Sequence, residues 1–213
     1  MTGPSKGAPD PRLHDAWRVW LASLAVDAEA ALGAAHAYAE LDEGARDAWL
    51  DALAEDVPRL DVPAVAVYGP LLAVESDPLR RERIGLAIGE QSREAFVQAG
   101  RTRTLRGIAP DRTRVAVLVS PLYLRFVRIL TCRYSPDDGF RWARAEPIAA
   151  ESGAPAAGTV IDGVTLEATP TKPVIEELAH AILAQRRRGE DPPGALYSFA
   201  DIFDPHADGD SIY

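Results

Sequence analysis

Arg114-Val-Ala-Val-Leu-Val-Ser120, followed after Pro121 by Leu122-Tyr-Leu-Arg-Phe-Val-Arg-Ile-Leu-Thr-Cys-Arg-Tyr134, is the stretch that decides the fold. The first run is valine-rich and the second mixes β-branched and aromatic residues, so both read as strands. In the second run, alternation puts Tyr123, Arg125, Val127, Ile129, Thr131 and Arg133 on one face. Leu122, Leu124, Phe126, Arg128, Leu130, Cys132 and Tyr134 fall on the other. Ser135-Pro-Asp-Asp-Gly139 is a turn, with Pro136 presetting φ and Gly139 free to take positive φ. Phe140 to Glu146 then returns as the second strand of a hairpin.

Downstream, Ala149 to Gly158 is small and proline-containing and reads as a loop. Thr159 to Leu166 is a second hairpin around Asp162-Gly163. Thr171 is placed to cap a helix running from Lys172 or Pro173 to Arg188, striped by Ile175, Leu178, Ala179, Ile182 and Leu183. Arg186, Arg187 and Arg188 suit the helix dipole and Gly189 ends it.

Upstream, the character is helical. Leu13, Trp17, Trp20, Leu24, Ala28, Ala31, Ala35 and Tyr38 recur at three- and four-residue spacing and predict one long helix. A second helix is expected over Glu43 to Asp56 behind an Asp42 cap, and a third over the apolar run from Pro63 to Val74. Asp77-Pro78 opens a helix reaching Ile88, and Glu90 to Arg106 extends helically with weak signals. The order is α+β: an N-terminal helical half of three to four helices, then a mainly antiparallel sheet with a C-terminal helix packed on it. The expected organisation is a flexible arm over 1–11 and a single domain over 12–190. That domain has a helical part at 12–106 and a sheet-plus-helix part at 113–190. An aromatic-acidic tail follows over 191–213.

The chain of 213 residues is 47% hydrophobic and 26% charged, which excludes disordered, collagen-like and disulfide-scaffold classes. Cys132 is the one cysteine, so neither an intramolecular disulfide nor a cysteine-based zinc site can form. No signal-like apolar run opens the chain, and the 13 residues from Val62 to Val74 fall short of a bilayer span of about 20. A cytoplasmic protein without membrane contact is expected.

The net charge of −9 is unevenly spread: Arg80 to Arg144 holds 14 basic against 6 acidic residues, while Ala145 to Tyr213 holds 4 against 12. Every basic residue in the positive block is arginine; the lysines are Lys6 and Lys172. This block covers the predicted sheet and makes Arg125, Arg128, Arg133, Arg141 and Arg144, with Tyr123, the first candidate contact surface. The second is Leu196-Tyr-Ser-Phe-Ala-Asp-Ile-Phe203, whose Tyr197, Phe199 and Phe203 either dock on their own domain or meet a partner.

Phosphate-cradling glycine loops, the G-x-S-x-G elbow and H-E-x-x-H are absent. No two of His14, His36, His180 and His206 share an i, i+3 or i, i+4 spacing, so no metal or cofactor is expected. Cys132, His180 and Glu176 are weak catalytic candidates that nothing in the sequence brings together. The leading expectation is therefore a non-catalytic interaction or assembly protein that binds another protein or a second copy of itself. The alternatives are a small hydrolase or transferase, or a nucleic-acid-binding regulator using the arginine-bearing sheet.

Overall fold

The computed structural model describes residues 11–89 and 101–203. The expected arm before Pro11, the weak helical extension over 90–100 and the acidic end at 204–213 lie outside the described residues. Internal contacts group the chain into two compact units, Met1–Gln98 and Ala99–Tyr213. The fold is α+β, with the helices first and an antiparallel sheet carrying a C-terminal helix after them. Among the described residues no helix is long and apolar enough to cross a membrane.

The first unit contains α1 (Pro11–Ser23), α2 (Ala28–Ala39), α3 (Glu43–Asp56), α4 (Ala64–Val74) and α5 (Pro78–Ile88). The single helix expected over Leu13 to Tyr38 is thus two. Asp27 is extended and accepts from the N–H of Glu29 at 2.9 Å and of Ala30 at 3.2 Å, which starts a new helix after Val26. The apolar spacing persists across this break, and no glycine or proline marks it. The Asp42 and Asp77 caps form as expected, bonding the N–H groups of Ala45 and Arg80. Every residue of α4 from Val65 to Leu71 is buried, which is why its sequence has no polar face and no clear period.

The second unit is built on five antiparallel strands in the order β4-β3-β2-β1-β7. They are β1 (Arg103–Ile108), β2 (Arg114–Pro121), β3 (Phe126–Ser135), β4 (Gly139–Ala150) and β7 (Glu167–Ala168). A small hairpin of β5 (Val160–Ile161) and β6 (Val164–Thr165) turns on Asp162 and Gly163, both at positive φ. The helix α6 (Thr171–Arg187) follows, and two 3-10 turns separated by a kink at Phe199 run from Gly194 to Phe203.

Three local expectations change. The helical reading of Arg103 to Arg106 gives way to β1, whose pairing with β2 runs from Arg103↔Val119 to Ile108↔Arg114. The strand expected from Leu122 starts only at Phe126. Because β2 pairs directly with β3, the chain must reverse between them, and Leu124 at φ +53° with a Leu122 N–H to Phe126 carbonyl bond makes that turn. Tyr123 and Arg125 therefore leave the alternating strand face. Thr171 does not cap α6; its hydroxyl accepts from Thr104 Oγ1 at 3.0 Å and donates to the Thr102 carbonyl, tying the helix start to β1.

Both sheet faces are covered in the middle. Ala116, Leu118, Leu130, Cys132 and Tyr134 pack with Val174, Leu178 and Ala181 of α6 and with Leu196 and Phe199. On the reverse face Val115, Val117, Val119, Val127 and Ile129 pack with Val164 and Leu166. Burial on both sides explains why β2 reads as an unbroken apolar run. Gly107 in β1 makes the hairpin's approach possible, since a Cβ there would overlap the Thr165 carbonyl oxygen and Val164 Cγ1. Gly107→Ala should lower the stability of this unit by about 2 kcal/mol in denaturant titration; an unchanged midpoint would show that the hairpin can yield.

Candidate functional site

The β4 strand lies at one edge of the sheet and places Trp142 and Arg144 two residues apart, on the same face as Arg133 of the neighbouring strand. The Arg144 guanidinium stands over the Trp142 ring, 5.3 Å from its centroid. Trp142 Nε1 donates to Asp162 Oδ2 at 3.0 Å, so the hairpin turn fixes the indole. Arg133 sits beside them and reaches both Asp162 and Asp111, with Nη1 3.7 Å from Asp162 Oδ2 and Nη2 3.2 Å from Asp111 Oδ2. Asp111 is further bound by the Thr113 hydroxyl at 2.6 Å and the Thr113 N–H. These bonds, the hydroxyl's first, hold the Asp111 carboxyl below the usual range and outweigh the opposing effect of burial; Arg133 adds to them. The result is an arginine-tryptophan surface whose indole is fixed by Asp162 and whose neighbouring Arg133 is held by Asp111 and Asp162.

A second feature lies at the end of the sheet, where the β1–β2 loop, the β3–β4 turn and α6 enclose a cleft of about 630 Å³. Its lining includes Asp111, Arg112, Arg114, Asp137, Arg141, Glu177 and His180. Under it, Glu177 Oε1 accepts from Arg106 Nη1 at 2.6 Å and is ion-paired with Arg114 Nη1 at 2.7 Å, and Glu177 Oε2 accepts from Tyr134 at 2.8 Å. Burial, first, and the adjacent Glu177 raise the Tyr134 hydroxyl above its ordinary range, so it is a neutral donor.

The other sequence candidates occupy different environments. Arg125 is exposed in the β2–β3 turn, and its carbonyl accepts from the Glu151 N–H. Tyr123 is 1% exposed and meets Phe126 edge-on, and burial raises its hydroxyl above the usual range. Arg128 turns to its own chain: Nη1 donates to the Ser198 carbonyl at 2.8 Å, Nη2 pairs with Asp201, and the guanidinium covers the Phe199 ring. Phe199 is fully buried, Phe203 packs against the same core, and Tyr197 is 66% exposed. Arg141 is exposed and lines the cleft, 4.0 Å from Asp111.

Of the weak catalytic candidates, Cys132 is fully buried with Sγ 3.8 Å from the Ala116 carbonyl, and burial pushes its thiol up to about 12. A buried neutral thiol offers no nucleophile. His180 lines the cleft, but the carboxylate facing it from the same helix is Glu177, whereas Glu176 is exposed elsewhere. Among the described residues no three or more His, Cys, Asp or Glu side chains gather as a metal site.

Trp142, Asp111, Asp162 and the pairing of Glu177 with Arg106, Arg114 and Tyr134 are what sequence reasoning missed. The Arg-Trp-Ala-Arg run at 141–144 was a readable signal, since alternation puts Trp142 and Arg144 on one face. Asp111 and Asp162 come from separate loops and carry no such signal. Comparison with protein-family models, with curated proteins and with solved structures finds no match to this chain.

Proposed function

We propose that this chain is a non-catalytic interaction protein that binds an acidic segment of a partner chain on the Trp142–Arg144 face of β4. The observation that carries the reading is the braced stack itself. Tryptophan and arginine are the residues in which interface energy concentrates, and a pre-ordered pair loses little conformational entropy on binding. The acids beside the stack, Asp111 and Asp162, are already engaged by Arg133, Thr113 and Trp142, which leaves the Arg144 guanidinium to an incoming acid. An acidic peptide thus meets donors with capacity to spare.

The test uses a labelled acidic dodecapeptide containing leucines and a single-stranded oligonucleotide of the same length, each titrated at low salt by fluorescence anisotropy. Saturable peptide binding is expected, weakened at least about tenfold by Trp142→Ala combined with Arg144→Ala, which is the loss of about 1.4 kcal/mol. Binding of the oligonucleotide alone, or a peptide affinity that ignores both substitutions, would overturn the proposal.

A further inference from the structure

The cleft at the end of the sheet has a donor excess that the protein-binding face does not use. Its acceptors are largely spent. Glu177 already accepts from Arg106 and Tyr134 and is ion-paired with Arg114. Asp111 accepts from Thr113 and Arg133, and Asp138 Oδ2 accepts from Ser135 Oγ at 3.0 Å. Its donors are not. An arginine carries five N–H donors in a fixed fork. Arg114 commits Nη1 to Glu177, and Arg141 is 4.0 Å from Asp111, beyond hydrogen-bond reach. The Arg112 loop position, at φ +64°, directs a third arginine to the lining, and His180 completes it from α6.

Charge follows the same pattern. Arg106 and Arg133 are not among the lining residues, yet they neutralise Glu177 and Asp111 from behind. Arg114 shares Glu177 with Arg106 and Arg141 shares Asp111 with Arg133, so with Arg112 five guanidinium groups stand against the four carboxylates Asp111, Asp137, Asp138 and Glu177. Asp137, exposed on the β3–β4 turn at the same cleft, disfavours an extended polyanion and leaves room for a compact one. A volume of about 630 Å³ is in the range of small-molecule sites.

We infer that this cleft binds a small oxyanion, a molecule carrying a phosphate or paired carboxylate group, held by Arg112, Arg114 and Arg141 with His180 as a further donor. Guanidinium forks match the planar geometry of such groups and can engage them through two parallel bonds. The site stands apart from the protein-binding proposal, because Trp142 and Arg144 do not line it.

The experiment titrates the full chain with pyrophosphate and separately with malonate at low salt, by calorimetry and by amide chemical shifts. Saturable binding of either probe is expected, with shifts confined to 109–114, 135–141 and 177–180. Pyrophosphate preference assigns the phosphate class and malonate preference the dicarboxylate class. Arg112→Asn with Arg141→Gln should weaken binding at least about tenfold; asparagine tolerates the left-handed backbone at 112 and both side chains are exposed. Trp142→Ala with Arg144→Ala should leave the affinity unchanged, so the two proposals fail separately. Absence of saturable binding by both probes, or equal binding by the folded Arg112/Arg141 variant, overturns the assignment.

Discussion

Glu75→Ala is expected to destabilise the helical unit by about 3–5 kcal/mol, the range seen when one partner of a buried ion cluster is removed. The Glu75 side chain has no solvent exposure. Its Oε2 accepts from the Tyr38 hydroxyl at 2.7 Å and Arg80 Nε at 2.9 Å, while Oε1 accepts from the Ser76 and Asp77 N–H groups, each at 2.8 Å. Arg46 approaches Oε1 at 3.5 Å and also donates to the Ala39 and Leu41 carbonyls. One carboxylate thus ties the end of α2, the start of α3, the end of α4 and the start of α5. Removing it leaves two mostly buried guanidinium groups and a buried phenol without their acceptor. Glu75→Gln, which keeps an acceptor and loses the charge, should fall between wild type and Glu75→Ala. Chemical denaturation followed by helical circular dichroism reads the difference, and midpoints within about 0.5 kcal/mol of wild type would refute it.

The same carboxylate gives a pH dependence with a definite sign. Burial alone raises a carboxyl, but the Tyr38 hydroxyl, the Asp77 N–H and the Arg80 guanidinium outweigh it and bring Glu75 from 4.5 down to about 2. A depressed value stabilises the fold fully above about pH 4.5 and loses that contribution as pH falls toward 2. Between those limits wild type should lose about 3 kcal/mol more than Glu75→Gln, from about 1.4 kcal/mol per pH unit. Equal acid sensitivity of the two proteins would count against the network.

Glu75 also illustrates what the sequence does and does not display. The Asp42 and Asp77 caps, the turn at Pro136 to Gly139 and the Asp162-Gly163 hairpin were legible because each is a local arrangement with its own chemistry. Apolar periodicity marked the helices, but periodicity alone could not reveal the break at Asp27, because the stripe continues in phase through it. The turn at Leu122 to Arg125 was hidden for a related reason. Leu124 takes a left-handed backbone conformation that leucine rarely adopts, and it sits between the strand-favouring Tyr123 and Phe126-Val127.

The sites were less legible than the fold. The positive block overlaps the first four strands but also takes in Arg80, Arg81 and Arg83 of α5, and the distribution of its arginines depends on pairings across the fold. Arg106 and Arg114 meet Glu177, which follows them by more than sixty residues, and Arg133 meets Asp111 and Asp162 from two loops. Arg128 shares the strand alternation of the buried Leu130 and Cys132, and that face is where the chain's own tail settles. Net charge along the sequence therefore does not show which guanidinium groups pair within the fold and which have donors left over.

Phe199→Ala should be the most damaging single change in the second unit, at about 3–5 kcal/mol. The ring is fully buried among residues that include Leu118, Leu130 and Leu178, and the cavity left by its removal is bounded by the rigid sheet on one side. The Arg128 guanidinium lies 4.8 Å from its centroid, so its loss also removes a cation–π contact worth about 0.5–2 kcal/mol. Tyr197 provides the internal comparison: it is two residues away, 66% exposed, and Tyr197→Ala should change stability by less than about 0.5 kcal/mol. Limited proteolysis separates local from global effects, because loosening of the tail should appear first as cleavage between Gly194 and Phe203. If Phe199→Ala and Tyr197→Ala proved equally mild, the tail would be a detachable segment available to a partner. The expected disparity instead makes Leu196 to Phe203 a wall of the protein's own core, so deleting it would test folding rather than association.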